Sequence, residues 1–258
     1  MLSPHLKTFP NLNRQFYKYQ GTGNDFILFE DYDRSFPIDS KLISHICNRN
    51  LGIGADGLLL LQKSKIADLK MRIFNQDGSE ATMCGNGLRC VIRHLGKSCT
   101  IETKGGISLC EHGDSLIKVT LPKNEIVHSP IALPNNLSGH LVNTGTPHLV
   151  IFTEDVNNQG IAPELRYHPM FGPGGVNVNL AQIVSSGIRV RTFEKGVETE
   201  TLSCGSGGAA VALIHKQDVR ILFTYYELTF SFDTKDRIWM EGPAELVFQG
   251  NLCLKKPE

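Results

Sequence analysis

No stretch of this chain approaches the roughly 20 consecutive apolar residues that a membrane-spanning helix needs. Its opening, MLSPHLKTFPNLNRQF, lacks the apolar core of a secretory signal. Both lacks point to the cytoplasm and to no membrane partner. An excess of either charge is missing as well: 26 Lys and Arg face 26 Asp and Glu, so no basic surface for a nucleic-acid backbone is expected. Seven cysteines in 258 residues include no C-x-x-C pair, which argues against a disulfide scaffold and against a structural zinc site. We therefore expect no metal. There is no G-x-x-x-x-G-K-[ST] loop to cradle a triphosphate and no G-x-S-x-G nucleophile elbow. Residues 52–57, GIGADG, do spell G-x-G-x-x-G. They follow an expected helix and lead into a strand, the reverse of the dinucleotide-binding order, and read as a loop.

What is present is an ordinary globular composition, 41% apolar, enough for one large core or two modest ones. Residues 1–15, with two prolines and several Asn, read as a loosely attached extension. Short runs rich in β-branched, aromatic and leucine residues, cut by Gly, Asp and Asn, predict strands over 16–20, 26–31, 58–62, 70–74, 98–103 and 116–121. The habit returns over 140–143, 148–152, 176–180, 188–193, 225–232, 237–241 and 245–248. Helices are expected over 39–49, with Asp39 as N-cap, over 87–96, ending on Gly96, and over 207–216, ending on Lys216. A shorter helical turn is expected over 163–168.

The two halves match each other. QGTGNDFILFED (20–31) aligns with TGTPHLVIFTED (144–155) at one offset, sharing Gly-Thr, an aliphatic run and a closing Glu-Asp. RIFNQDGSEATMCGNG (72–87) aligns with RTFEKGVETETLSCGSG (191–207), sharing R-x-F, an acidic loop and C-G-x-G, with one extra residue in the second. The order is the same in both, so the chain reads as a duplication. With no Ser- or Pro-rich linker, the two domains are expected to pack closely, dividing near 122–130, where Pro122 and Pro130 fall.

Each C-G-x-G places its cysteine, Cys84 or Cys204, where a loop ends and an expected helix begins. A helix start offers unpaired N–H groups and about half a positive charge, which suits a thiolate or a substrate carboxylate. Gly85, Gly87, Gly205 and Gly207 let backbone approach a ligand closely. A gain of up to about 2 kcal/mol at such a terminus lowers a thiol pKa by roughly 1.5 units, so one thiolate facing one thiol is the expected resting state. Such a pair can take a proton from one face of a carbon and deliver another to the opposite face, inverting it. Buried structural cysteine is the bland alternative, and it fits Cys47, Cys90, Cys99, Cys110 and Cys253, none at a glycine-rich helix start. His148, after Gly145-Thr146-Pro147 at a strand start, and Asn24, Asn75 and Asn86 in Gly-rich loops are further candidates for contact with a substrate.

GTGNDF (21–26), GIGADGLLLL (52–61), MRIFNQDGSEATMCGNGLRC (71–90), NVN (177–179) and ETLSCGSGGAA (200–210) resemble the diaminopimelate epimerase family in order and approximate spacing. The resemblance covers nearly all of the chain beyond residue 16. It implies an α+β fold of two similar duplicated domains, each a rolled mixed β-sheet around a central helix, with the active site in the cleft between them. The first domain would span 1–128 and take back the last strand, 249–258, while 129–248 forms the second. The implied activity is a cofactor-independent isomerase that interconverts LL- and meso-diaminopimelate for lysine and peptidoglycan, usually as a homodimer. By the same resemblance Cys84 and Cys204 match the two acid/base thiols, and His148 and Glu194 the pair that assists beside them. Gly85, Asn86, Gly205 and Ser206 match the groups that hold the carboxylate at the reacting carbon, and Asn24, Asn75 and Asn177 match substrate-binding asparagines.

Three features depart from the family pattern. Thr146 stands where the family usually has Asn before Pro-His, Lys195 stands where it has Arg after Glu, and the loop 196–203 is one residue longer. In the family these positions help grip the distal amino-acid end, so Thr146 and Lys195 join the candidate substrate contacts. Looser recognition of that end is the expectation, because a point-charge ammonium does not replace a bidentate guanidinium. The alternatives are a glutamate, aspartate or proline type racemase on the same fold, and a non-catalytic module that only binds amino acids and needs no thiol pair.

Overall fold

The computed structural model describes residues 11–122, 124–157, 160–196 and 198–254. Of the expected extension, residues 1–10 lie outside the described set, as do 255–258 of the expected return strand and residue 197 of the longer loop. The rest of the extension is not loose, because Leu12 already opens the first strand and is buried.

The first half runs β1 (Leu12–Gly21), β2 (Asn24–Glu30), α1 (Ser40–Cys47), β3 (Gly57–Lys63), β4 (Leu69–Asn75), β5 (Glu80–Ala81), α2 (Gly85–Leu95), β6 (Cys99–Thr103), β7 (Gly106–His112) and β8 (Ile117–Thr120). The second runs β9 (Glu125–Ala132), β10 (Ser138–Asn143), β11 (Pro147–Phe152), α3 (Ala162–Arg166), β12 (Asn177–Val184), β13 (Gly187–Glu194), β14 (Thr199–Glu200), α4 (Gly205–His215), β15 (Val219–Leu222), β16 (Glu227–Phe232) and β17 (Ile238–Gly242). Strand β18 (Glu245–Leu254) follows.

Strand pairing repeats. In the first half β2 and β3 are parallel across α1, β4 and β6 are parallel across α2, and the remaining neighbours are antiparallel. In the second, β11 and β12 are parallel across α3 and β13 and β15 across α4. Parallel neighbours need a crossover, and the helices provide it. Buried on both faces, β2 and β3 read as the unbroken apolar runs FILF and LLLL.

The outer strands change sides. β9 follows β8 in sequence but pairs with β10, and β18 follows β17 but pairs with β1, from Leu12↔Leu254 to Gln20↔Glu245. β8 and β17 pair with each other, so the 18 strands of the described residues join one continuous sheet. Pairing therefore gives Glu125 onward to the second half and Glu245 onward to the first, a few residues ahead of the division and the return expected from sequence. Pro130, expected to mark the division between the halves, lies inside β9, which an exposed edge strand tolerates.

Each sheet rolls around its longer helix. α2 packs against β1, β2, β4, β7, β8 and β18, and α4 against β10, β11, β12, β15, β16 and β17. One core runs through both, taking Leu88, Val91 and Ile92 from α2 and Ala209, Ala210, Val211 and Ala212 from α4. The shorter α1 and α3 cover outer faces, with Leu42, Ile43 and Ile46 against Ile27, Phe29 and Leu58, and Leu165 against Leu149, Ile151 and Val178. Among the described residues no helix is long and apolar enough to cross a membrane.

Candidate active site

Both central helices start two residues earlier than their sequence pattern suggests, immediately after a cysteine. Cys84 (φ −146°, ψ 119°) and Cys204 (φ −122°, ψ 100°) hold extended N-cap conformations, so each thiol stands at a turn of unpaired N–H groups. The two starts converge across Met240 of β17. A Cβ on Gly85 would collide with Met240 Cε, and one on Gly205 would stand 3.0 Å from Met240 Sδ and 3.3 Å from Asn86 Oδ1. Glycine permits this approach without moving Met240. The Cys84 sulfur is in turn close enough to raise the Cys204 pKa by its charge, so both thiols belong to one site between the halves.

A buried polar network backs Cys204. Thr192 Oγ1 donates to Asn179 Oδ1 at 2.9 Å, and Asn179 Nδ2 donates to the Leu149 carbonyl and to His148 Nδ1, both at 3.1 Å. That amide orientation makes His148 Nδ1 an acceptor and leaves the ring proton on Nε2. Nε2 then faces Thr146 Oγ1 at 3.1 Å and Ser206 Oγ at 3.0 Å. Ser206 Oγ reaches the Cys204 sulfur at 3.4 Å, and the Gly207 N–H donates to the same sulfur at 3.4 Å. His148 is fully buried, and burial pushes its pKa down to about 3, so the ring is neutral at physiological pH.

Cys84 meets a different shell. Its sulfur lies 3.8 Å from Asn24 Oδ1, while Asn24 Nδ2 donates to Asp56 Oδ2 at 2.9 Å. Asp56 comes from the GIGADG loop, which therefore orients Asn24 and is more than a connector. Arg49 holds Asp56 at 2.8 Å and Asp25 at 2.7 Å, and Lys18 holds Asp25 at 2.7 Å. Burial alone would raise the Asp25 pKa, but hydrogen bonds from Arg49 and Lys18 hold its carboxyl well below the usual carboxylate range.

The expected low-pKa thiol is not found. Burial raises both thiols, and for Cys204 the Glu194 carboxylate adds to the rise. The N–H groups of Gly87 and Asn86 oppose the rise at Cys84, as Ser206 and Gly207 do at Cys204, without cancelling it. Desolvation, which a sequence does not display, outweighs the helix ends. Glu194 itself is raised by burial. A depression of about 530 Å³ lies away from the thiols, beside Arg34, Lys70, Arg72 and Glu102.

Most of the residues singled out from sequence gather here. Asn177, buried, donates to the Pro147 carbonyl at 3.1 Å and accepts from the Lys195 N–H at 2.7 Å, tying Thr146 and Lys195 to the same corner. Asn75 is exposed at the end of β4, paired with Gly57 beside Asp56, with its amide on Ser79 Oγ at 3.0 Å. Sequence reasoning passed over Asp56, Asn179 and Thr192. The GIGADG and NVN blocks were the available signals for the first two, whereas nothing marked Thr192.

A family model described as diaminopimelate epimerase matches residues 16–126 and 140–244, one stretch in each half. The diaminopimelate epimerase of Methanocella arvoryzae is 41% identical over 92% of this chain and 96% of its own. Among solved structures, a phenazine biosynthesis protein of the PhzF family from Bacillus anthracis superposes with a TM-score of 0.68 at 16% identity, over 93% of this chain and 99% of that one. A probable proline racemase from Agrobacterium radiobacter superposes with a TM-score of 0.68 at 14% identity, over 94% and 93%. The last two likenesses show the shared fold.

Proposed function

The chain belongs to the diaminopimelate epimerase family, and from that premise we propose that it inverts one α-carbon of diaminopimelate with two opposed thiols, interconverting the LL and meso forms. The observation that carries this reading is the convergence of two cysteine-capped helix starts, one from each half, on Met240. The substrate α-carboxylate rests on the N–H groups at Gly85, Asn86, Gly205 and Ser206. Negative charge that develops there as the α-proton leaves meets two helix starts at once. Asn86 Oδ1, buried without a hydrogen-bond partner among the described residues, is an acceptor for the α-ammonium.

Since burial keeps both thiols protonated, the arriving ammonium cation is what tips one of them to thiolate. That thiolate removes the α-proton, and the opposite thiol delivers its own to the other face. Neutral His148 holds Ser206 against Cys204, and Glu194 adjusts the charge beside both sulfurs. Asn24, Asn75, Asn177, Thr146 and Lys195 serve the remainder of the substrate. On the family resemblance the enzyme works without pyridoxal phosphate, in the cytoplasm and as a homodimer, and feeds lysine and peptidoglycan synthesis.

Incubation with LL-diaminopimelate in D2O tests the reading. The wild type should place deuterium at the inverted carbon, and Cys84→Ala and Cys204→Ala should each lose inversion by about 10³-fold or more. A variant that inverts at near wild-type rate would sink the two-thiol scheme, and a wild type that incorporates no label would leave only a binding module.

A further inference from the structure

Helix α2 buries a charge with no counter-charge. Arg89, one turn beyond Cys84, is 0% exposed. Its Nε donates to the Pro243 carbonyl at 3.2 Å, Nη1 lies 3.5 Å from Met240 Sδ, and Nη2 donates to Thr22 Oγ1 at 3.0 Å. Each of these partners is neutral, and among the described residues no carboxylate pairs with the guanidinium. Burying an unpaired cation is costly, so its retention needs a reason. The titratable groups near enough to feel it are the thiols of Cys84 and Cys90. Cys90 is wholly buried in the core, where burial pushes its thiol up to about 12. That leaves Cys84, on the site.

The duplication supplies the control. Counting from each cysteine, Arg89 corresponds to Ala209, so the second half has no such cation. Cys204 instead has a hydroxyl and a backbone N–H on its sulfur. The Cys84 side chain makes no cap hydrogen bond, although the Gly87 and Asn86 N–H groups face its sulfur, and Asn24, fixed by Asp56, turns a carbonyl oxygen toward it. An acceptor stabilises the thiol and not the thiolate. Two thiols that exchange roles must each be able to ionise, and before a substrate ammonium arrives Arg89 is the cation among the described residues whose charge favours the Cys84 thiolate. The titratable and charged groups facing Cys84 are Arg89 and Cys90 from α2, Glu194 from β13 and Cys204 at the start of α4.

Building on the two-thiol reading, we propose that Arg89 is the counter-cation of the Cys84 thiolate, a positioning residue that acts through Cys84 and is needed in one direction of the inversion. Its fork also holds Thr22, whose Oγ1 accepts from Ser203 at 3.0 Å next to Cys204, so a purely structural role would disturb both thiols.

Thiolate absorbance in the ultraviolet separates these roles and requires no reagent to enter the site. The five cysteines away from the site, Cys47, Cys90, Cys99, Cys110 and Cys253, are replaced by Ala throughout; a Cys204→Ala background then reports Cys84, and a Cys84→Ala background reports Cys204. Arg89→Met should make Cys84 ionisation at least about tenfold less favourable, roughly one pH unit upward. Arg89→Lys should keep it near the parent value, and Cys204 should not move. The proposal is overturned if Cys84 does not move in Arg89→Met, if Lys and Met shift it alike, or if Cys204 moves as far. Should Arg89→Met fail to fold, Arg89→Lys against Arg89→Gln carries the same comparison. Failure here with normal label incorporation in D2O would leave the two-thiol reading standing.

Discussion

At three matched positions of the site the first half carries an amide where the second carries His148, Glu194 or Ser206. Asn24 and Asn75 occupy the places that His148 and Glu194 hold in the repeat, and Asn86 occupies that of Ser206. Backbone devices are kept in both: the cysteine N-cap, the glycine that follows it, and an arginine to glutamate pair, Arg72 with Glu80 and Arg191 with Glu200, that braces each hairpin leading to the helix. The helices diverge for steric reasons. A Cβ on Gly208 would stand 2.8 Å from Phe230, so this turn of α4 takes small residues, Gly208 and Ala209, whereas the matching turn of α2 has room for Leu88 and Arg89. Duplicated geometry thus delivers two equivalent helix starts, while the side chains behind them set unequal electrostatics.

Substitutions at matched positions sharpen or break that contrast. Ser206→Ala removes the hydroxyl between His148 and Cys204 and should lower kcat/KM by about 10- to 100-fold, the value of a hydrogen bond to a charged group. Steady-state kinetics on Asn86→Ala gives the comparison; an identical loss with the same pH profile would mean that the halves act alike. Gly85→Ala and Gly205→Ala both crowd Met240, and each should cost about 1–3 kcal/mol in denaturant unfolding. Gly85→Ala should cost more, since its Cβ would overlap Met240 Cε. The reverse order would misplace the convergence.

His148 supplies a difference in acid stability. Its proton binds near pH 3 in the folded protein and near 6.5 in the unfolded chain, so between those values the unfolded state holds more protons. This contribution is complete above about pH 6.5 and is lost as pH falls toward 3. The fall in Tm on acidification should therefore shrink in His148→Asn, and an unchanged fall would contradict the buried neutral ring. Lys195→Arg should have the smallest effect, raising the preference for diaminopimelate over glutamate by a few-fold, about 1 kcal/mol. Competition assays with both substrates measure it, and no change in the ratio would remove Lys195 from distal recognition.

The repeat, the cysteine positions and most strands were legible because each leaves a local mark. Alternation and apolar runs announced β1 to β4, and C-G-x-G announced the helix starts, although three low-propensity residues in each hid the first turn. Strand β9 is not predicted, and the division falls across it, because it is exposed along most of its length and carries no alternating apolar pattern. β7 escaped for a similar reason, with Gly, Ser, Glu and His interleaved among its apolar residues, and β15 because VRIL is only four residues long. What no local pattern contains is burial. The elevated thiol pKa values, the neutral state of His148 and the isolation of Arg89 all follow from the two sheets closing on one place.

The exchange of outer strands bears on how the molecule is made. On the ribosome, β1 emerges early and can pair with β2, but its other edge stays bare until β18, the last of the eighteen, has been synthesised. The amino-terminal sheet is completed only after everything between has been threaded, so nascent chains are exposed to edge-to-edge association for nearly the whole of translation.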